Sequence, residues 1–521
     1  MIFRSPFADV SIPEISLADF IFRRAAERKD KPALIDGLSG RTLTYGQLIA
    51  SIERAAAGLA SRGFRKGDVF AIYAPNCPEY AVAFYAVARL GGINTTVNPL
   101  YTVEELTFQL NDSNAKYLLT TPHFIDKATQ AARNSRVEEV FVLGEAEGAT
   151  PFAELLNTSD PAPAVEINPR EDLVALPYSS GTTGMPKGVM LTHYNIVANL
   201  RQAEGAEPLP EDDVLVAVLP FFHIYGMVMI LSQGLYRGAT LVTMPRFELE
   251  EFLRVLQDYS VTRAYVVPPI VLAFAKHPIV DKYDLSKLRT IVCGAAPLGK
   301  DVAQTCADRL GRVVRQGYGM TEASPLTHFT PMNMEKINRG TSGQCVPNTE
   351  CKVVDVATGE ELGPNQEGEL WIRGPQVMRG YLNRPEDTAA TIDREGWLHT
   401  GDVGFADEDG FFYIVDRVKE LIKYKGLQVA PAELEAVLLT HPALADAAVI
   451  PSPDEEAGEV PKAFVVLKSD ATAEEIMAYV AERVAPHKKI RRLEFVDQVP
   501  KTASGKILRR MLIERERKAA G

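Results

Sequence analysis

The stretch VFAIYAPNCPEYAVAFYAVARLGGINTTV (residues 69–97) carries the basic repeat of the fold. Its pattern predicts a strand, a helix and a strand in succession: Val69 to Tyr73, the residues before Gly91-Gly92, and Ile93 to Val97. Two capping boxes lie on either side and each opens a further helix: Thr44 with Gln47, and Thr102 with Glu105. Strands that alternate with helices in this way are typical of parallel sheets covered by helices.

The alternation resumes after residue 170 and changes beyond about residue 340. The later strands predicted within this alternating pattern lie near Leu173 to Leu176, Leu241 to Met244, Ala264 to Val267, Thr290 to Cys293 and Val313 to Arg315. Short strands with Gly-rich or acidic turns follow, and residues after 415 show a compact α+β pattern. We therefore predict an α/β fold with a large N-terminal domain and a small C-terminal α+β domain. The N-terminal domain (1–415) has βα-layered sheets (about 1–340) and a small β-barrel-like subdomain (about 341–415), and the C-terminal domain is 416–521.

Composition indicates an ordinary folded protein. Of 521 residues, 46% are hydrophobic and 24% charged, which disfavours disordered, collagen-like and disulfide-scaffold classes. The formal net charge of -12 argues against nucleic acid binding over the whole surface. Five cysteines without paired ligand spacing fit free thiols in a reducing compartment. No signal-peptide pattern opens the chain, so we predict a cytoplasmic protein.

Residues 214–236 carry no formally charged side chain and are long enough to span a bilayer. Six residues interrupt this segment: Pro220, His223, Gly226, Ser232, Gln233 and Gly234. A buried strand, a turn at Pro220 and a short buried helix after Gly226 explain the pattern better than a membrane helix.

The strongest local signal is a Gly- and hydroxyl-rich segment at Tyr178 to Val189, which follows a predicted strand. Backbone N–H groups of such a loop can converge on a phosphate while Lys187 adds positive charge. The spacing is not that of a Walker loop, because Pro186 precedes Lys187 and Gly188 follows it. A flexible surface turn is the alternative for this segment taken alone.

A second cluster, Gln316 to Glu322, reads QGYGMTE and lies at a predicted strand end. It lacks the third glycine of a dinucleotide fingerprint. Its glycines, the ring of Tyr318, the hydroxyl of Thr321 and the carboxylate of Glu322 suit a nucleotide with Mg²⁺. The alternative is a strand-to-helix turn with a solvated Glu322.

A third cluster places charged residues near and within the C-terminal unit. It consists of Asp402, the segment Asp416 to Gly426, and Lys506 in the segment Pro500 to Ile507. A single lysine in such a run is most often solvent-exposed and without function. The three clusters together, rather than any one of them, indicate a site.

Together these segments resemble the adenylate-forming superfamily of acyl-CoA synthetases, firefly luciferases and adenylation domains. The resemblance rests on motifs in one order along nearly the whole chain: SSGTTGMPKG (179–188), LPFFH (219–223), GAAP (294–297), GYGMTE (317–322), TGD (400–402), Asp416-Arg417 and PKTASGK (500–506). The segment Lys419 to Glu433 is most similar to 4-coumarate:CoA ligase-like enzymes, and medium-chain acyl-CoA ligases are also similar.

The resemblance implies that a carboxylate attacks the α-phosphate of ATP and that coenzyme A then captures the acyl-adenylate. A cation aimed at the developing charge suits this step, and by similarity Lys506 supplies it. Glu322 would bind Mg²⁺ and Tyr318 would stack on adenine. The implied ATP-binding set is Ser179, Ser180, Gly181, Thr182, Thr183, Lys187, Tyr318, Gly319, Thr321, Glu322, Asp402, Arg417 and Lys506.

For the second step, the resemblance implies that the small domain is mobile and pivots near Lys419. This motion would bring Lys423 and Gln428 to the site in place of Lys506. Coenzyme A would meet Arg246, Lys425 and Gly426. His223 would take part at the entrance of the acyl tunnel, or it is a buried structural histidine.

The acyl pocket implied by the resemblance is apolar and lacks the aspartate that would bind the ammonium of an amino acid. We therefore expect an aryl-propenoic or medium-chain acid. The substrate-binding set is Tyr225, Met229, Val292, Ala295, Gln316, Gly317, Thr321, Pro325, Leu326, Lys419 and Lys423.

Three alternatives remain at this stage. The adenylate is passed to a carrier protein, or it is oxidised as in luciferases, or the chain is a non-catalytic nucleotide sensor. The retention of Lys187, Glu322 and Lys506 together argues against the sensor. The expected partners are a small carboxylic acid, ATP and coenzyme A, with no nucleic acid, no membrane span, and a monomer or homodimer.

Overall fold

The computed structural model describes residues 1–179, 186–332, 339–425, 427–454, 456–502 and 505–520. Its helices and strands form an α/β architecture, as the sequence predicts. The α-helices are Leu17–Phe22, Tyr45–Ser61, Pro78–Arg89, Val103–Asp112, Ile125–Arg133, His193–Ala206, Gln233–Arg237, Leu249–Asp258, Pro268–Lys276, Lys300–Leu310, Pro385–Thr391, Pro431–Thr440, Ala473–Ala481 and Arg509–Ala520.

One sheet, here called the N-terminal sheet, is built around the strand Val69–Ile72. Its strand order is Tyr178–Ser179, Lys187–Thr192, Leu173–Ala175, Ile93–Thr96, Val69–Ile72, Ala115–Thr120, Glu139–Val142 and Thr150–Pro151. The strand Gly380–Tyr381 pairs with Lys187–Thr192. Both predicted capping boxes form, so Thr44 and Thr102 directly precede their helices.

A second sheet, here called the central sheet, has a parallel middle and antiparallel edges. Its strand order is Gln344–Cys345, Leu326–Phe329, Val313–Gly319, Thr290–Cys293, Arg263–Val266, Val214–Ala217, Thr240–Thr243, Pro32–Asp36 and Thr42–Thr44. The strand predicted to end at Arg315 continues to Gly319, because it pairs antiparallel with Leu326–Phe329. The QGY segment and Gly319 therefore lie on a strand, and the turn begins only after them.

The uncharged segment 214–236 does not form a membrane helix. It divides into the strand Val214–Ala217, a π-helix at Tyr225–Ser232 and the α-helix Gln233–Arg237. The helical part begins at Tyr225 rather than after Gly226. Among the described helices, none has both the length and the apolar character needed to cross a bilayer.

Two smaller sheets complete the fold. The small β sheet has the order Ile2–Arg4, Glu350–Val354, Gly368–Arg373, Leu398–Ala406 and Phe412–Arg417. The C-terminal sheet has the order Leu427–Val429, Ile422–Tyr424, Gly458–Leu467 and Leu444–Asp454, with Arg492–Phe495 parallel to Gly458–Leu467. Residues 2–4 pair with 350–352, so the first strand of the chain belongs to the small β sheet, which sequence reasoning did not predict.

Candidate active site

A cleft of about 940 Å³ lies where the predicted motifs meet. The carboxyl ends of parallel strands in the central sheet form one wall, as is usual for ligand sites in such sheets. The N-terminal sheet contributes the hairpin end at Ser179 and Lys187, and the C-terminal unit contributes Lys506. Residues separated by more than 300 positions therefore line one space.

The first predicted loop begins and ends at this cleft. Ser179 and Lys187 are direct partners in the antiparallel pairing of Tyr178–Ser179 with Lys187–Thr192. The Lys187 ammonium is 2.9 Å from Asp387 Oδ1 and lies 5.1 Å from the ring centroid of Tyr381. Ser180, Gly181, Thr182 and Thr183 lie outside the described residues.

Glu322 is a buried carboxylate at the cleft wall. Its Oε1 accepts hydrogen bonds from Ser179 Oγ and Tyr381 Oη, each at 2.9 Å. A buried carboxylate with one oxygen held by two hydroxyls keeps its second oxygen available as a hard ligand. That donor set fits Mg²⁺, which binds one or two carboxylates together with phosphate oxygens rather than a protein cage. No group of three or more potential metal ligands occurs in the described part of the chain.

Tyr318, Asp402 and Arg417 form a hydrogen-bonded group at the edge of the cleft. Asp402 and Arg417 are direct partners on neighbouring strands, and Arg417 Nε is 3.1 Å from Asp402 Oδ1. Tyr318 Oη donates to Asp402 Oδ2 at 2.6 Å. Burial raises the pKa of Asp402, while Arg417 opposes that shift. Burial and the Asp402 carboxylate raise the pKa of Tyr318, so the phenol stays protonated and donates.

Lys506 of the C-terminal unit lines the cleft. Its backbone N–H donates to Thr502 Oγ1 at 3.0 Å, and the Thr502 N–H donates to the Lys506 carbonyl at 2.8 Å. A Cβ added at Gly505, where φ is +79°, would lie 3.1 Å from Val267, which follows the strand Arg263–Val266, so Gly505 packs closely against the large domain. Burial, followed by repulsion from Arg417, lowers the pKa of Lys506.

His223 faces the same space in a neutral form. Its Nδ1 accepts a hydrogen bond from the Tyr225 N–H at 3.2 Å, which leaves Nε2 as the protonated ring nitrogen. Burial lowers the pKa of His223 to about 4, and the charge of Lys506 adds to this effect. A neutral Nε2–H beside Lys506 can donate a hydrogen bond to an anionic substrate without adding a second full charge.

The predicted acyl pocket forms the inner part of the cleft. Most of the predicted set lines it: Tyr225, Met229, Val292, Ala295, Gly317, Thr321, Pro325 and Leu326. Ala295 has φ of +70°, a strained conformation of the kind that is frequent at binding sites. Gln316 does not line the cleft; its amide bonds the backbone of Leu298 and the carbonyl of Arg339.

The residues predicted for the second step lie elsewhere, except Lys419, which lines the cleft. Lys423 and Gln428 are exposed direct partners on the hairpin of Ile422–Tyr424 and Leu427–Val429. Lys425 Nζ is 2.5 Å from Glu456 Oε1, and Arg246 is exposed on the large domain. Gly426 lies outside the described residues. The structure thus presents Lys506, and not Lys423, to the cleft.

Sequence reasoning missed several residues that line the cleft, and two of them bear on the site. Tyr381, which bonds Glu322, follows Gly380 in a short strand, and a Gly-aromatic pair is the one local signal that it offers. Gln233 lies in the same helical segment as Tyr225 and Met229 and eight residues after Tyr225. The four-residue spacing of these three residues was a usable signal.

Comparison with known proteins gives matches along almost the whole chain. The family model for the AMP-binding enzyme matches residues 21–382. The model for the AMP-binding enzyme C-terminal domain matches residues 433–506.

Among curated proteins, 4-coumarate-CoA ligase 5 of Oryza sativa subsp. japonica is 47% identical over 532 residues, covering 100% of this chain and 98% of the relative. 4-Coumarate-CoA ligase 1 of Petroselinum crispum is 45% identical, covering 100% and 97%. Among solved structures, the anthranilate CoA ligase AuaEII in complex with anthranoyl-AMP superposes with a TM-score of 0.90 at 27% identity, covering 98% of this chain and 99% of that one. A benzoate CoA ligase from Burkholderia xenovorans LB400 gives 0.87 at 27% identity, covering 96% and 99%.

Proposed function

Because the chain belongs to the AMP-binding enzyme family, we propose that its cleft activates an aryl-propenoic or medium-chain carboxylic acid and transfers it to coenzyme A. At the coarser level the chain is an AMP-forming acid:CoA ligase, as the sequence resemblance predicts. ATP-dependent ligation through an acyl-AMP is therefore its reaction. What we propose beyond this reaction is the class of acid that the enzyme activates and the role of each residue in the cleft.

The main support for this site is the position of Lys506. Lys506 of the C-terminal unit lines the same cleft as Glu322, Tyr318 and Lys187 of the large domain. A carboxylate that attacks a polyphosphate must overcome like-charge repulsion, and a cation at the α-phosphate offsets it as charge develops. In the first half-reaction, Lys506 holds the acid carboxylate against the α-phosphate.

The remaining groups would orient the nucleotide. Asp402 accepts hydrogen bonds from ribose hydroxyls, and Tyr318, held by Asp402, presents its ring to adenine. Ser179 and Lys187 stand at the two ends of the phosphate loop. Glu322 would hold Mg²⁺, which neutralises phosphate charge when it is bound.

The second half-reaction needs a different set of side chains. Lys423, Gln428, Lys425, Gly426 and Arg246 are proposed to serve coenzyme A after the C-terminal domain (416–521) pivots near Lys419. The exposed positions of Lys423 and Gln428 on the Lys506-bearing unit support this division. We also propose a cytoplasmic monomer or homodimer.

The lining of the inner cleft supports the choice of acid. Met229, Val292, Pro325 and Leu326 give it apolar walls, which suit a ring or a medium alkyl chain. The segment Phe221 to Ile230 has no acidic residue to bind an ammonium. An unpaired ammonium in such a pocket would be costly, so amino acids are poor candidates.

The test is AMP and pyrophosphate release with ATP and Mg²⁺ over a panel of 4-coumarate, cinnamate, benzoate and hexanoate to palmitate, with and without coenzyme A. We expect coenzyme A to accelerate turnover of an aryl-propenoic or medium-chain acid. Lys506→Ala should lower pyrophosphate release in this assay. Lys468→Ala, which changes an exposed lysine of the same C-terminal unit, is its matched control. Pyrophosphate release that coenzyme A fails to accelerate would contradict the proposal.

A further inference from the structure

The inner end of the cleft differs in character from its apolar middle. Gln233, Glu207, Arg263 and Tyr265 line this end together with Leu209. In the central sheet, Tyr265 pairs with Val292. Arg263 lies two residues before Tyr265 on the same strand, so both side chains are on the same face of the sheet. Two residues along a strand span about 7 Å, so the cleft continues roughly that far beyond the level of Val292.

Gln233 contributes a buried side-chain amide to the cleft, and its oxygen is unpartnered among the described residues. Its residue is 3% exposed, and its Oε1 has no hydrogen-bond partner among the described residues. Tyr225 and Met229 precede it at four-residue intervals, and all three line the cleft. The segment therefore presents a hydroxyl-bearing ring, a thioether and then an amide along the pocket.

A buried amide that faces a cavity without a partner is unfavourable unless something else bonds it. The charged side chains that line or adjoin the cleft form ion pairs with one another, although Glu207 Oε2 and two nitrogens of Arg315 make no hydrogen bond among the described residues. Arg263 Nη2 is 3.1 Å from Glu207 Oε1, and Arg263 Nε is 3.0 Å from Asp213 Oδ2. Glu207 also pairs with Arg315. The natural partner of the Gln233 amide is thus a group on the bound acid.

The charges around Gln233 restrict what that group is. Two buried guanidinium groups, of Arg263 and Arg315, face the buried carboxylate of Asp213 and the largely buried carboxylate of Glu207. Arg289 also bonds Asp213 and the exposed Asp212, so the group holds three charges of each sign. This group is already balanced, so a charged substituent on the substrate would be buried without a counter-ion. An uncharged hydroxyl or carbonyl carries no such penalty, and an amide can both donate to it and accept from it.

We propose that Gln233 is a specificity-determining residue that hydrogen-bonds an uncharged polar group at the far end of the carboxylic acid. This inference rests on the proposed function and deepens it, because it states what the acid carries at its distal end. Met229 contacts the middle of the acid, and Gln233 distinguishes a polar end from an apolar end of equal size.

The experiment compares acids that differ at the far end alone. The ratio of kcat/KM for 4-coumarate to that for 4-methylcinnamate compares a hydroxyl with a methyl group of similar size. The ratio for 8-hydroxyoctanoate to that for nonanoate makes the same comparison in an alkyl chain. We expect the wild type to favour the polar member of at least one pair by about tenfold, a typical effect for one buried hydrogen bond. Gln233→Met keeps the length of the side chain and should abolish that preference.

Gln130→Met, at an exposed helix position, is the matched control and should keep the wild-type ratio. The wild-type ratio needs no variant, so the test stands even if Gln233→Met folds poorly. A wild type without preference in both pairs, or a preference that Gln233→Met retains, would overturn the inference. Failure of every acid to support coenzyme A-dependent AMP release would instead overturn the proposed function.

Discussion

A disulfide between Gly299→Cys and Ala436→Cys should hold the enzyme in the arrangement competent for adenylation. A Cβ built on Gly299 would lie 3.4 Å from the Cβ of Ala436. Gly299 precedes the helix Lys300–Leu310 of the large domain, and Ala436 lies in the helix Pro431–Thr440 of the C-terminal unit. The backbone of Gly299 has φ of -60°, which a cysteine adopts without strain.

The magnitude follows from disulfide geometry. Bridged cysteines have Cβ atoms about 3.5–4.5 Å apart, so the pair needs a shift of a few tenths of an ångström to form. Once formed, it limits separation of the two helices to about 1 Å, far less than a domain rotation requires. The closed loop of roughly 137 residues should also stabilise the fold by about 5 kcal/mol on the chain-entropy model.

The assay separates the two half-reactions. The oxidised double variant should retain ATP-pyrophosphate exchange with the acid. It should lose thioester formation from acyl-AMP and coenzyme A by at least about a hundredfold, which is the effect of losing a positioned catalytic group. Dithiothreitol should restore the second activity, and each single variant should behave as wild type. Fully cross-linked enzyme that forms thioester at the wild-type rate would refute the domain rotation.

Three further predictions concern single side chains. Lys506→Ala should lower pyrophosphate release by about 10²–10³-fold yet spare thioester formation from supplied acyl-AMP, and equal loss of both would contradict its assigned role. Tyr318→Phe keeps the ring but removes the 2.6 Å hydrogen bond to Asp402, so the KM for ATP should rise about tenfold. An unchanged KM in pyrophosphate exchange would show that this hydrogen bond does not contribute to ATP binding. Burial lowers the pKa of His193 to about 4 and that of His328 to about 3, against 6.5 unperturbed. The unfolded chain therefore takes up these protons first, and the free energy of unfolding should fall as pH drops from 6.5 towards 4, by roughly 3 kcal/mol for His193. Urea unfolding at pH 7, 6 and 5 measures this slope, which His328→Asn should reduce; a slope that this variant leaves unchanged would be inconsistent with the low pKa.

Local signals were sufficient where structure depends on neighbouring residues. The helices after Thr44 and Thr102 begin where their capping boxes predict, because the cap bonds span three residues. The strand Thr290–Cys293 has its predicted bounds, since a short apolar run between turn residues defines it. Most of the described residues that the motifs predicted for ATP and the acid line the cleft.

Interactions between distant segments left no such signal. The strand Ile2–Arg4 pairs with residues that lie almost 350 positions later, and three residues do not encode their partner. Tyr381 reaches Glu322 only because Gly380–Tyr381 adds to the strand Lys187–Thr192. Gln233 interrupts an apolar segment, and its spacing from Tyr225 and Met229 is a local signal, but only the folded structure shows that a cavity lies beside it.

The contacts around Lys419 favour this residue as the proposed pivot. On one side, the Val418 N–H donates to the Gly401 carbonyl at 2.9 Å, which ties Val418 to the large domain. On the other side, Glu420 Oε2 is 2.6 Å from Arg509, which is anchored to Glu435 within the C-terminal unit. Lys419 lies between these two attachments. A rotation that keeps both must therefore change the backbone dihedral angles at Lys419, together with the turn that follows it, and the same rotation that withdraws Lys506 would carry Lys423 with it as part of one unit.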